Sequence, residues 1–222
     1  MKRSFVAAIT LFLLINIGGC QGGQIRGDFS DKNWLHDGLG YYLKEPLNMK
    51  LNKFSLGAGV GDPHIIGEAK TGMFNSKSVV VSDIPMQDIV YNALKDAFSK
   101  MGFVIVDERN SADLITTGQI SQFWSREFAN GWTPEYAKAA VRYDLVIRDN
   151  NDKVFWAKSV DVEEKSTGIG VIFDATSSVI PTLKKALSQS IFQVVNDANF
   201  QAALNKIRKN AQALESDAAY SR

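Results

Sequence analysis

The chain has 222 residues, enough for one domain with a sizeable core. Its 25 basic and 24 acidic residues leave a formal net charge of +1. That near-balance excludes the basic face that nucleic-acid binding needs. A single cysteine excludes a disulfide framework within the chain.

Read from the N-terminus, Lys2 and Arg3 precede a mostly apolar run from Phe5 to Ile17, interrupted by Thr10 and Asn16. Gly18 and Gly19 follow, then Cys20. A charged start, a short apolar stretch and small residues at the end have the form of a secretory signal peptide over 1–19. The run falls short of the roughly 20 residues that span a bilayer. Residues 1–19 hold two basic and no acidic residues, so their removal takes the net charge from +1 to −1.

Ile17-Gly18-Gly19-Cys20 resembles the lipobox of bacterial lipoproteins. The resemblance implies cleavage between Gly19 and Cys20, a diacylglyceryl thioether on the Cys20 sulfur and acylation of the new amino group. One acyl chain holds a protein only marginally, and stable anchoring needs two signals. Gln21, where an aspartate would favour retention at the inner membrane, points by the same analogy to the outer membrane.

Residues 20–50 read as a lipidated tether, broken by Gly22, Gly23, Gly27, Gly38 and Gly40. A flexible chain of that length reaches about 30 Å. Leu51 to Leu56 can form a first strand. "GAGVGDP" (Gly57 to Pro63) lacks the spacing of a nucleotide loop and reads as a mobile connection. "SVVVSDIP" (Ser78 to Pro85) is extended and ends at a helix start, where Ser82 or Asp83 can cap and Pro85 suits the first turn.

Ile89, Ala93, Leu94, Ala97, Phe98 and Met101 then recur at helical steps, and Gly102 stops the helix. Strands follow at Phe103 to Glu108 and Leu114 to Trp124. Ala139, Val141, Tyr143, Leu145 and Ile147 alternate with polar residues up to a turn at Asp149–Asp152. Val154, Trp156, Lys158, Val160 and Val162 continue the alternation on the return strand, giving a hairpin with one apolar face. Val179, Leu183, Leu187, Ile191 and Val194 form a second helix. Phe200, Leu204, Ile207, Ala211 and Leu214 continue a stripe towards a polar end.

This order of elements, with the N-terminal box, resembles the YajG-type family of bacterial lipoproteins. The stretches that carry it are "VYNALKDAFSKMGFVIVD" (Val90 to Asp107), "ADLITTGQISQFW" (Ala112 to Trp124), "AAVRYDLVIRDNNDKVFWAKSV" (Ala139 to Val160) and "LKKALSQSIFQVVND" (Leu183 to Asp197). The resemblance covers residues 51–200. It implies a small periplasmic domain on a lipid anchor, and it supplies no catalytic motif. The loop at 57–61 and the tail after 198 stand apart from the family's usual outline.

Catalysis would need convergent groups. The two histidines, His36 and His64, belong to no cluster with metal spacing, and no nucleophile motif of the G-x-S-x-G kind occurs. Asp161, Glu163 and Glu164 sit near a strand end, where a solvated edge accounts for them. The aromatic run is the candidate site: Phe123, Trp124, Phe128, Trp132 and Tyr136, with Arg126 among them. Two readings stay open. The rings could fold back on their own sheet from a loop containing Gly131 and Pro134, or stand exposed as anchors for a partner. The Phe200–Leu214 stripe is a second candidate surface, as a packed helix or one offered to a partner.

The expected fold is α+β, with an antiparallel sheet of about four strands packed on one face by two main helices. The domain would span 51–200, with an extra C-terminal helix in 201–222. The expected function is that of a non-enzymatic outer-membrane lipoprotein facing the periplasm, without metal or cofactor. Its partners would be the membrane, through the anchor, and another envelope protein. An auxiliary that handles lipid or glycan for envelope transport is the alternative.

Overall fold

The computed structural model describes residues 24–29, 41–71, 76–130, 133–166 and 176–207. The expected signal peptide, Gly19, Cys20, His36, Trp132 and the tail from residue 208 lie outside these residues.

The sheet is built on β7 (Leu114–Asn130), which pairs along its whole length with β8 (Thr133–Asp149). β9 (Val154–Ser166) pairs antiparallel with β8. Strict alternation drives this three-stranded unit: Val141, Tyr143, Leu145 and Ile147 are buried, while Arg142, Asp144, Val146 and Arg148 point the other way. Lys158 occupies an inward position. Its ammonium is satisfied by the Gln193 carbonyl at 3.1 Å and the Asp197 carboxylate at 2.7 Å.

The other edge of β7 receives three short strands in succession, all parallel to it. β2 (Leu47–Leu51) pairs at Leu114–Thr116, β3 (Ser55–Leu56) at Gln119–Ile120, and β4 (Ile65–Thr71) at Ser125–Arg126. Beyond β4 lie β5 (Ser76–Ser82), antiparallel to it, and then β1 (Gln24–Gly27), parallel to β5. β6 (Phe103–Ile105) pairs with β2 at the far end.

α1 (Met86–Lys100) buries Ile89, Ala93, Leu94, Ala97 and Phe98, the stripe its spacing predicts. It ends at Gly102, whose φ of 98° is the left-handed conformation that glycine adopts without strain. Its start differs from the predicted cap. Pro85 is the capping residue with no side-chain bond, and the Met86 amide donates to the Pro63 carbonyl at 2.9 Å. α2 (Thr176–Val195) lies across β7, β8 and β9 and also meets α1. The chain is helical again over 198–207, here α3, which puts Phe200 and Leu204 into the core. Phe200 packs between Trp156, at 5.0 Å between ring centroids, and Phe98, at 6.1 Å. All three helices join one core on one face of the sheet.

The α+β class holds, and three details change. The sheet has nine strands and mixes parallel with antiparallel pairs; it is not a four-stranded antiparallel sheet. Within the stretch read as a tether, residues 24–29 and 41–50 are part of the fold: they supply β1, most of β2, and Phe29 and Met49 in the core. The helix after Asp197 begins within the core, not as an appendage from 201. The unpredicted strands β1, β2 and β4 have four, five and seven residues, and none carries enough regular alternation to register as a strand in the sequence.

Candidate functional site

The aromatic run does not form a loop. β7 continues to Asn130 and β8 starts at Thr133, so its described members sit on paired strands. β-Alternation then separates them by face. Phe123 points inward, buried, and its ring meets Phe29 edge-on at 6.2 Å. Trp124, Arg126 and Phe128 point to the opposite face, which is helix-free among the described residues. Tyr136 joins them from β8, directly across from Phe128. The two rings stack at 4.8 Å between centroids. Of the sequence candidates, four therefore share one surface, Phe123 belongs to the core, and Trp132 lies outside the described residues.

Cations that the sequence reading passed over surround the stack. Lys138 pairs with Arg126 across β7–β8, and Lys165 pairs with Lys138 across β8–β9. Lys165 Nζ lies 4.1 Å from the Tyr136 ring centroid, and Lys138 Nζ lies 5.8 Å from that of Phe128. The Arg126 guanidinium lies 5.6 Å from the Phe128 centroid and contacts Glu68 at 3.5 Å. These cation–π contacts sit at an exposed surface, worth about 0.5–1 kcal/mol each. Lys138 and Arg142 share the outward face of β8, but the pairing that adds Arg126 and Lys165 joins three strands and leaves no local period in the sequence.

Further along the same face the charges are paired. Arg142 donates from Nε to Asp161 at 2.7 Å, from Nη2 to Glu163 and from Nη1 to Gln122. The Asp161 hydrogen bond, ahead of the Glu163 charge, holds the guanidinium ionised even above its usual range. Of the carboxylates read as solvated, Asp161 and Glu163 are exposed while they pair with Arg142, and Glu164 pairs with Lys185 at 2.8 Å.

Between this face and the 57–63 loop lies a cleft of about 550 Å³, lined by Gly59, Val60, Asp62, Gln122 and Trp124. β7 changes register between Ile120 and Gln122, and the loop crosses there, with the Gly57 amide donating to the Ile120 carbonyl at 2.7 Å. His64 ties down the loop's far end. Its amide donates to Asp62 Oδ1, and its ring Nδ1–H donates to the Ser82 carbonyl at 2.9 Å. A carbonyl can only accept, so Nδ1 carries the proton. The loop that read as mobile is bonded at both ends. His64 serves it structurally.

On the helix side, Glu127 is buried, and Ser178 donates to it at 2.9 Å. Tyr143 is buried too, and burial pushes its phenol well above the usual range. Among the described residues no group of three His, Cys, Asp or Glu is placed to hold a metal, and no helix is long and apolar enough to cross a membrane.

No protein-family model matches the chain, and no curated protein matches it. Among solved structures, a Xanthomonas campestris protein of the DUF330 family is similar at 12% identity and a TM-score of 0.49, covering 85% of this chain and 99% of that one. A minor lipoprotein from Acinetobacter baumannii is similar at 10% identity and 0.37, covering 72% and 94%. Lipoprotein GNA1162 from Neisseria meningitidis is similar at 10% and 0.35, covering 68% and 100%. At these scores the functional reading rests on the residues of this chain.

Proposed function

We propose that the chain is a lipid-anchored protein of the bacterial envelope, held at the outer membrane through Cys20 and facing the periplasm. It acts by binding another envelope protein and not by catalysis. The observation that carries the binding role is the cleft beside Trp124, between β7, the start of α1 and the 57–63 loop. An aromatic ring with hydrogen-bonding neighbours at a concave surface is the usual core of a binding hot spot. The charged groups nearby favour binding over catalysis, because Arg142 is held by Asp161 and Glu163, and Asp62, the carboxylate in the lining, accepts from the His64 amide.

The test is a photo-reactive amino acid at Gln122 in the intact protein, on cell membranes. A single stoichiometric adduct is expected, lost on Trp124→Ala and unaffected by a photo-reactive residue at Lys153 in the β8–β9 turn. No adduct, or the same adducts from both positions, removes the reading. The mixed lining of the cleft, with Val60 beside Asp62, also suits a small amphiphile. Bound lipid or glycan seen by native mass spectrometry, displaced by Trp124→Ala, favours the transport auxiliary instead.

A further inference from the structure

One cross-strand row runs through six strands of the sheet. Gln24 of β1 lies opposite Val79 of β5, which lies opposite Glu68 of β4. Glu68 lies opposite Arg126 of β7, then come Lys138 of β8 and Lys165 of β9. Directly opposed residues project to the same side, so the whole row lies on the helix-free face. β1 runs parallel to β5, and β5 begins at Ser76. The N-terminal end of β1 therefore lies towards Lys77, the end where Phe128 and Tyr136 stack. Cys20 is only four residues from Gln24. Fully extended, four residues reach about 14 Å. At about 4.8 Å per strand, Arg126 lies about 14 Å along the row from Gln24.

A lipid on Cys20 therefore sets this end of the face within headgroup distance of the bilayer. The chemistry found there suits that neighbour. Arg126, Lys138 and Lys165 are exposed and outnumber the single acid of the row, Glu68. Phe128 and Tyr136 add apolar ring area with a phenol at the rim, the amphipathic kind enriched at headgroup depth. The other acids of the hairpin face, Asp144, Asp161 and Glu163, lie further along it from the Phe128–Tyr136 stack; Asp161 and Glu163 are held by Arg142, and Asp144 accepts from Ser159.

We infer that Arg126, Phe128, Tyr136, Lys138 and Lys165 dock on the anionic phospholipid surface that carries the anchor. The inference rests on the lipid anchor proposed above, and it leaves the cleft beside Trp124 to the partner. Each cation near an anionic surface is worth roughly fivefold in occupancy, and the short leash multiplies this by keeping the patch at the surface.

The test uses the lipidated full chain in vesicles of phosphatidylcholine alone or with phosphatidylglycerol added. Lysine reactivity is read residue by residue by amine labelling and mass spectrometry. Lys77, Lys138 and Lys165 should label about fivefold or more slowly on the anionic vesicles, with Lys153 unchanged and the protection lost in high salt. In the triple variant Arg126→Glu/Lys138→Glu/Lys165→Glu the chain should stay on the vesicles, keep its thermal midpoint and lose the protection of Lys77. Equal labelling on both vesicles overturns the docking, as does protection that survives the charge reversal. Protection confined to native membranes overturns it in favour of a protein occupant. A chain that leaves the vesicles altogether overturns the anchor itself, and the docking with it.

Discussion

A Cβ built on Gly118 would lie 2.1 Å from Cε1 of Phe54, whose buried ring meets Tyr143 edge-on at 5.7 Å. The ring has no room to yield. Gly118→Ala should therefore cost about 1–3 kcal/mol by overpacking, read by chemical denaturation. Combined with Phe54→Ala it should cost less than the sum of the two single losses, because one substitution vacates the space that the other needs.

Asp197 is the other residue whose surroundings set a measurable cost. It accepts from Lys158 Nζ at 2.7 Å, from Trp156 Nε1 at 3.1 Å and, as the cap of α3, from the Phe200 amide at 2.9 Å. Burial alone would raise its carboxyl, but these donors together hold it below the usual carboxylate value. Its contribution is thus complete above the unfolded value near 4 and is lost as pH falls through the lower folded value. Asp197→Ala should lower stability by about 1–2 kcal/mol at neutral pH. Asp197→Asn keeps the cap and should mainly remove the loss of stability on acidification below about pH 4.

At the scale of elements, β7 contrasts two neighbouring rings. Phe123→Ala empties a packed inward site and should cost about 3–5 kcal/mol. Trp124→Ala, one residue on and facing outward, should leave the melting temperature nearly unchanged and abolish capture from Gln122. The sequence displayed both rings in one run and could not assign their faces, because the register shift after Ile120 moves every later residue of β7 to the other side relative to a simple count. α1 was legible to its last turn, since its six apolar positions repeat over fifteen residues. β1, β2 and β4 were not, because each is held by a partner far away in the chain and carries little regular alternation of its own.

At the scale of the whole molecule, the proposed docking depends on the brevity of the link from Cys20 to Gln24. A flexible Gly-Ser insert after Gly22 should leave the protein in the membrane fraction and weaken the lipid-dependent protection of Lys77, because effective concentration falls as a leash lengthens. Cys20→Ser, with uncleaved precursor excluded, should release the mature protein from membranes washed in high salt.

Local chemistry by itself determined which residues of the β8–β9 hairpin turn inward and where α1 ends, and it supplied the short box on which the proposed anchor rests. Each of these is written within a few residues, in a period of two, a period of 3.6 or a short box. Tertiary structure alone decided that three short strands line one edge of β7 and that the helices leave one face bare. It also decided that Arg126, Lys138 and Lys165 fall into line with the first strand after the anchor. Those relations join segments distant in the chain, and no local period records which strand will lie beside which.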